Sequence, residues 1–171
     1  TNCHADLEPA AAATAIDGWR EPRSEQRTHY AEAIAAARRG FANDRLREVA
    51  GNDDYPGIVR ATAVSLLAQP FGSNEFLLLE SELGSPDPLV RIAALRQVRE
   101  LPVEMRMRLP GSRLLADPVR GVRIEAASAY AGMSDLLPLE EARAYGAAAA
   151  EFRSAYEMLA SRPDALIALA G

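Results

Sequence analysis

The chain has 171 residues, 49% of them hydrophobic and 25% charged, which excludes an intrinsically disordered segment and allows one domain with a real core. A net charge of -5 opposes binding to nucleic acid, because phosphates are drawn by a positive field. Aromatic residues are only 6% while alanine, the strongest helix former, is heavily used, so the composition points to packed helices and away from a sheet.

All 19 basic residues are arginine, a bias that base composition explains and that an arginine surface for phosphates would explain less well in an acidic chain. The single cysteine, Cys3, excludes an intrachain disulfide. No apolar run reaches the roughly 18 residues of a membrane span. The chain has no signal peptide. It begins at Thr1 and ends in the apolar pattern Ala170-Gly171, so it reads as a piece of something longer, and a missing leader says nothing of location.

In chain order, Glu8-Pro9 opens a first predicted helix running to Trp19, and Glu21-Pro22-Arg23 breaks it. Ser24 is positioned to cap a second helix from Glu25 to Arg39, with Gly40 as its stop. Asn43 or Asp44 starts a short helix ending near Gly51. Residues 1–51 thus form a leading helical block.

From residue 52 to residue 133 a repeat takes over. Asp54-Tyr55-Pro56-Gly57-Ile58-Val59-Arg60 is echoed by Ser85-Pro86-Asp87-Pro88-Leu89-Val90-Arg91 and by Asp117-Pro118-Val119-Arg120-Gly121-Val122-Arg123. The arginines Arg60, Arg91 and Arg123 stand 31 and 32 residues apart, a spacing that marks arrays of helical units. Asp54, Ser85 and Asp117 are predicted N-caps, and Pro86 and Pro118 suit a first helical position that needs no N–H. Val59, Val90 and Val122, then Ala63, Ala94 and Ala126, then Leu67, Val98 and Tyr130 follow at steps of four, which puts them on one helix face. Second helices lie between, one from Ser73 to Leu83 with Gly84 as its stop, the next from Val103 and split by Pro110-Gly111.

This combination of cap, proline, valine-arginine and alanine resembles HEAT-like repeats. The resemblance implies an all-α solenoid of helical hairpins, a right-handed superhelix. Residues 134–171 change rhythm. Ala148, Phe152 and Ala155 resemble the second helix of a tetratricopeptide repeat, and Asp164 to Gly171 the start of the next, with Pro163 late and Ile167 where a large aromatic is usual.

Cys3-His4 is the second half of a c-type haem motif, C-x-x-C-H, in which two thiols bond the vinyl groups and the histidine ligates iron. The first cysteine of such a motif would fall immediately before Thr1. The run Cys3-His4-Ala5-Asp6, an alanine-rich helix ending Ala15-Ile16-Asp17-Gly18-Trp19, and Arg27-Thr28-His29-Tyr30-Ala31-Glu32-Ala33 resemble bacterial multihaem c-type cytochromes that carry C-terminal HEAT and tetratricopeptide repeats. The resemblance implies that Cys3 and His4 hold haem c, with His4 on the iron, only in the intact parent protein; the chain as given holds no cofactor. It implies a periplasmic location and electron transfer in an N-terminal haem domain. The repeats would then dock that domain or another protein.

A free-standing cytoplasmic HEAT-like adaptor is the alternative. An enzyme of HEAT-like fold, a DNA glycosylase or a bilin lyase, fits less well, since a glycosylase needs a basic, aromatic-rich face. His29 is a distal iron ligand or a surface residue at a helix start. Arg60, Arg91 and Arg123 either face a partner or brace the repeats, and Asp87 stands four residues before Arg91 where it can pair along one turn. The paired acids Asp53-Asp54 and Glu140-Glu141 sit at predicted helix starts, where the dipole favours them. No nucleophile elbow, phosphate loop, dinucleotide fingerprint or zinc-protease motif is present, and the chain is predicted to be non-catalytic.

Overall fold

The punctuation of the sequence carries into the backbone. The computed structural model describes residues 9–19, 29–40, 44–68, 71–158 and 162, and among these every regular element is helical and no strand occurs. Helix α1 spans Pro9–Trp19, α2 Tyr30–Arg38 and α3 Asp44–Gly51. The repeat region holds α4 Gly57–Ser65, α5 Ser73–Glu82, α6 Pro88–Arg99, α7 Val103–Arg106 and α8 Arg120–Ala129. Helix α9, Leu139–Glu157, follows. Short 3-10 turns cover Pro110–Ala116 and Ser134–Leu136.

The predicted apolar stripe is the core. Val90, Val122, Ala63, Ala94, Ala126, Val98 and Tyr130 are fully buried, and Val59 and Leu67 nearly so. Each fully buried valine or leucine stabilises the fold by roughly 2 kcal/mol. Alanine at the central position of α4, α6 and α8 lets these helices approach closely. They pack in chain order, α3 on α4, α4 on α6, α6 on α8 and α8 on α9. Helix α5 packs on α3 and α6, and the 3-10 turn 110–116 packs on α8 and α9.

The helix starts differ from the predicted ones in detail. Asp87, not Ser85, caps α6, its Oδ1 accepting from the Leu89 N–H at 2.8 Å, and Pro88 takes the first helical position that Pro86 was predicted to fill. Asp117 Oδ1 accepts from the Val119 N–H at 2.8 Å, so it holds the turn that leads into α8. Helix α4 enters from Pro56, with no side-chain cap at that residue. The described part of the second helix is capped by His29, and Ser24 lies outside the described residues. Gly40, the predicted stop, has φ 81°, a left-handed conformation that glycine adopts without strain.

The Pro110-Gly111 break has a packing cause. Pro110 starts the 3-10 turn, and a Cβ at Gly111 would stand 2.8 Å from the Tyr130 hydroxyl. Glycine there lets the turn lie directly against the largest fully buried side chain of the molecule's described part. Burial pushes the Tyr130 phenol up to about 12, so it is neutral at any ordinary pH.

Candidate interaction surface

The three repeated arginines turn inward. Arg91 Nη1 donates to the carbonyls of Ser85 and Pro86 at 2.8 and 3.1 Å, and its Nη2 reaches Asp117 Oδ1 at 3.0 Å. Arg123 repeats the design. Its Nη1 donates to the carbonyls of Asp117 and Pro118 at 2.8 and 3.2 Å, while Nε and Nη2 form a fork on Glu151 of α9 at 3.1 and 2.7 Å. Each guanidinium therefore ties the turn before its own helix to a carboxylate of the next unit. Arg60 is buried and takes different partners, the Ala50 carbonyl at the end of α3, Glu82 at 2.7 Å and Asp53. Arginine suits such sites because its planar fork satisfies several acceptors at once. Asp87 is not the partner of Arg91; its carboxylate is engaged at the start of α6.

Charge partners act on one another. Hydrogen bonds from Arg123 hold the Glu151 carboxyl below its ordinary value. Burial pushes Glu75 up, but its own N–H, Arg47 and the Gly72 N–H together bring it below the ordinary value. Burial raises Glu82 despite Arg60 beside it.

Arg106 was not singled out by the sequence. Its Nη1 donates to the Ala129 carbonyl at 2.6 Å, and Nη2 to the carbonyls of Arg99 and Leu101 at 2.7 and 2.9 Å. It thus joins the C-terminal ends of α6 and α8, where cations complement the helix dipole. The spacing rule finds an arginine at a helix start; nothing in the local sequence announces one that gathers distant carbonyls.

With these arginines occupied, a concave surface lies elsewhere. Phe71, Phe76, Leu77 and Met105, with Ser73, Glu80 and Arg108 around them, line an open groove of about 500 Å³ between α5 and α7. The Arg108 guanidinium sits 5.5 Å above the Phe76 ring, within cation–π range. Leu77 is 62% exposed.

The predicted haem residues Cys3 and His4 lie outside the described residues. His29 is exposed, and its Nδ1 accepts from the Ala31 N–H at 3.2 Å. Among the described residues no cluster of three or more histidine, cysteine, aspartate or glutamate side chains is arranged to hold a metal ion. No described helix is long and apolar enough to cross a membrane. Glu140 and Glu141 open α9 as predicted, and Asp53 pairs with Arg60. Asp164 to Gly171, predicted to begin another tetratricopeptide unit, lie outside the described residues.

No protein-family model matches the chain, and neither does any curated protein or solved structure.

Proposed function

We propose that this chain is a protein-interaction scaffold, a HEAT-like stack of helical hairpins without catalytic chemistry of its own. The observation that supports this reading is the arginine bracing. At each turn of the repeat, Arg60, Arg91 and Arg123 give their donors to carbonyls and carboxylates of adjacent elements. Such wiring makes a stiff array of similar units, and stiff arrays present extended surfaces to partners. Cross-linking of the intact gene product in its native cells tests the reading. Cross-links from this segment to a second polypeptide, or to another region of the same chain, are the expected result. Recovery of cross-links within the segment alone would reject it.

The Cys3-His4 pair favours a more specific reading, in which the scaffold is the repeat part of a larger periplasmic multihaem c-type cytochrome. Electron transfer then belongs to an N-terminal haem domain, with Cys3 and His4 closing its last haem site. A pyridine haemochrome spectrum of the full gene product, made in a host with c-type maturation, decides this. A c-type signal is expected; its absence beside a working control leaves a plain helical adaptor.

A further inference from the structure

In the groove between α5 and α7, Phe71, Phe76 and Met105, which also pack on the core, meet exposed Leu77 and exposed Arg108. It holds two of the chain's four phenylalanines and one of its four methionines, in a sequence with only 6% aromatic residues. Aromatic residues, methionine and arginine are the types enriched at protein interfaces. Its volume of about 500 Å³ takes a large side chain together with neighbouring backbone. Arg108 marks the groove's charge. Arg47, Arg91 and Arg123 each meet a carboxylate from another element. Arg108 is exposed, lies over Phe76, and its guanidinium makes no hydrogen bond or ion pair with any described residue. A cation–π contact at this distance leaves the guanidinium N–H donors open to a carboxylate. Glu80 lies one turn beyond Phe76 on the same face of α5 and lines the same groove. Its carboxylate repels acid at that end and so fixes the direction in which an acidic ligand lies.

We propose that this groove docks an acidic peptide segment of a partner protein, with one bulky apolar side chain between Phe76, Leu77 and Met105 and an adjacent carboxylate on Arg108. The proposal rests on the scaffold reading and names the surface and the ligand chemistry it uses.

The test uses the full chain and fluorescent synthetic peptides of about ten residues, a length that spans such grooves. One peptide carries a central leucine with aspartate and glutamate on one side of it only. The second has alanine for the leucine, and the third has lysines for the acids. Saturable binding of the first, at least about tenfold tighter than either control, is the expected result. Leu77→Asp, at an exposed position, abolishes it with the circular dichroism unchanged. Arg108→Glu reverses the charge preference so that the lysine peptide binds better, an outcome that misfolding cannot produce. Equal binding of all three peptides overturns the proposal, as does a preference that survives Arg108→Glu. A photo-reactive version of the peptide that labels another face also overturns it and leaves the scaffold reading standing. That reading fails separately, by the absence of intermolecular and inter-region cross-links in the cell.

Discussion

Arg91 and Asp117 meet across the junction of α6 and α8, with Nη2 3.0 Å from Oδ1 and Nε 2.9 Å from Oδ2. Both side chains are largely shielded from solvent. The same Asp117 accepts from the Val119 N–H through its carboxylate and from Arg123 through its backbone carbonyl. One aspartate therefore closes the turn into its own helix, takes the arginine of the preceding unit and anchors the arginine of its own.

Gly111 and Tyr130 set the packing of the 3-10 turn. Gly111→Ala puts a methyl 2.8 Å from the phenolic oxygen and should cost about 2 kcal/mol by urea unfolding. Tyr130→Phe removes the atom in the way. Its hydroxyl donates to the Arg106 carbonyl over a long 3.4 Å and meets the Ser112 backbone N–H, so the single change should cost about 1 kcal/mol. Combined with Gly111→Ala it should recover part of the loss. Strict additivity of the two would show that the contact does not constrain the turn.

Gly57 stands where a side chain would collide with the Asp87 carboxylate, its Cβ falling 1.6 Å from Oδ2. Gly57→Ala should displace Asp87 and forfeit the cap on α6, about 1 kcal/mol. Adding Asp87→Ala should then cost little more, because the cap is already gone. Thermal melts of the two single variants and the double one check this. Full additivity would mean that Asp87 keeps its cap in the alanine variant.

Glu75 and Glu151 titrate below the ordinary carboxylate value when folded. As the pH falls, the unfolded chain binds these protons before the folded one does. The stability from both pairs is complete above the unfolded carboxylate pKa and is lost as the pH falls through the folded values. Glu151→Gln should lower the melting temperature at neutral pH and flatten the acid side of the stability curve. A variant whose acid limb is as steep as that of the unsubstituted chain would show that the Arg123–Glu151 fork carries no such linkage.

The helical class and the buried face were legible in the sequence because a step of four, repeated about every 31 residues, leaves few other ways to bury Val90, Ala94 and Val98 together. Helix starts were legible only to within a few residues. Ser85 and Asp87 are both good caps, and which of them meets a free N–H depends on how the turn before α6 is held by Arg91. The break at Pro110-Gly111 was visible, but its cause was not, since Tyr130 lies 19 residues away and reaches Gly111 only through the stacking of α8 on the turn. Arg106 and the groove around Phe76 were missed for the same reason. Their partners come from separate elements, and neither leaves a periodic mark on the chain.

The most direct test of the bracing account is a double-mutant cycle on Arg91 and Asp117, with Arg91→Met, Asp117→Ala and the pair, followed by urea unfolding. Asp117→Ala should cost about 3 kcal/mol, because it strands a shielded guanidinium as well as removing the turn bond. The account predicts a coupling of at least about 1 kcal/mol, with the double variant less damaged than the sum of the single ones. Independent, additive losses would contradict it and show that the Arg91–Asp117 contact does not brace the junction.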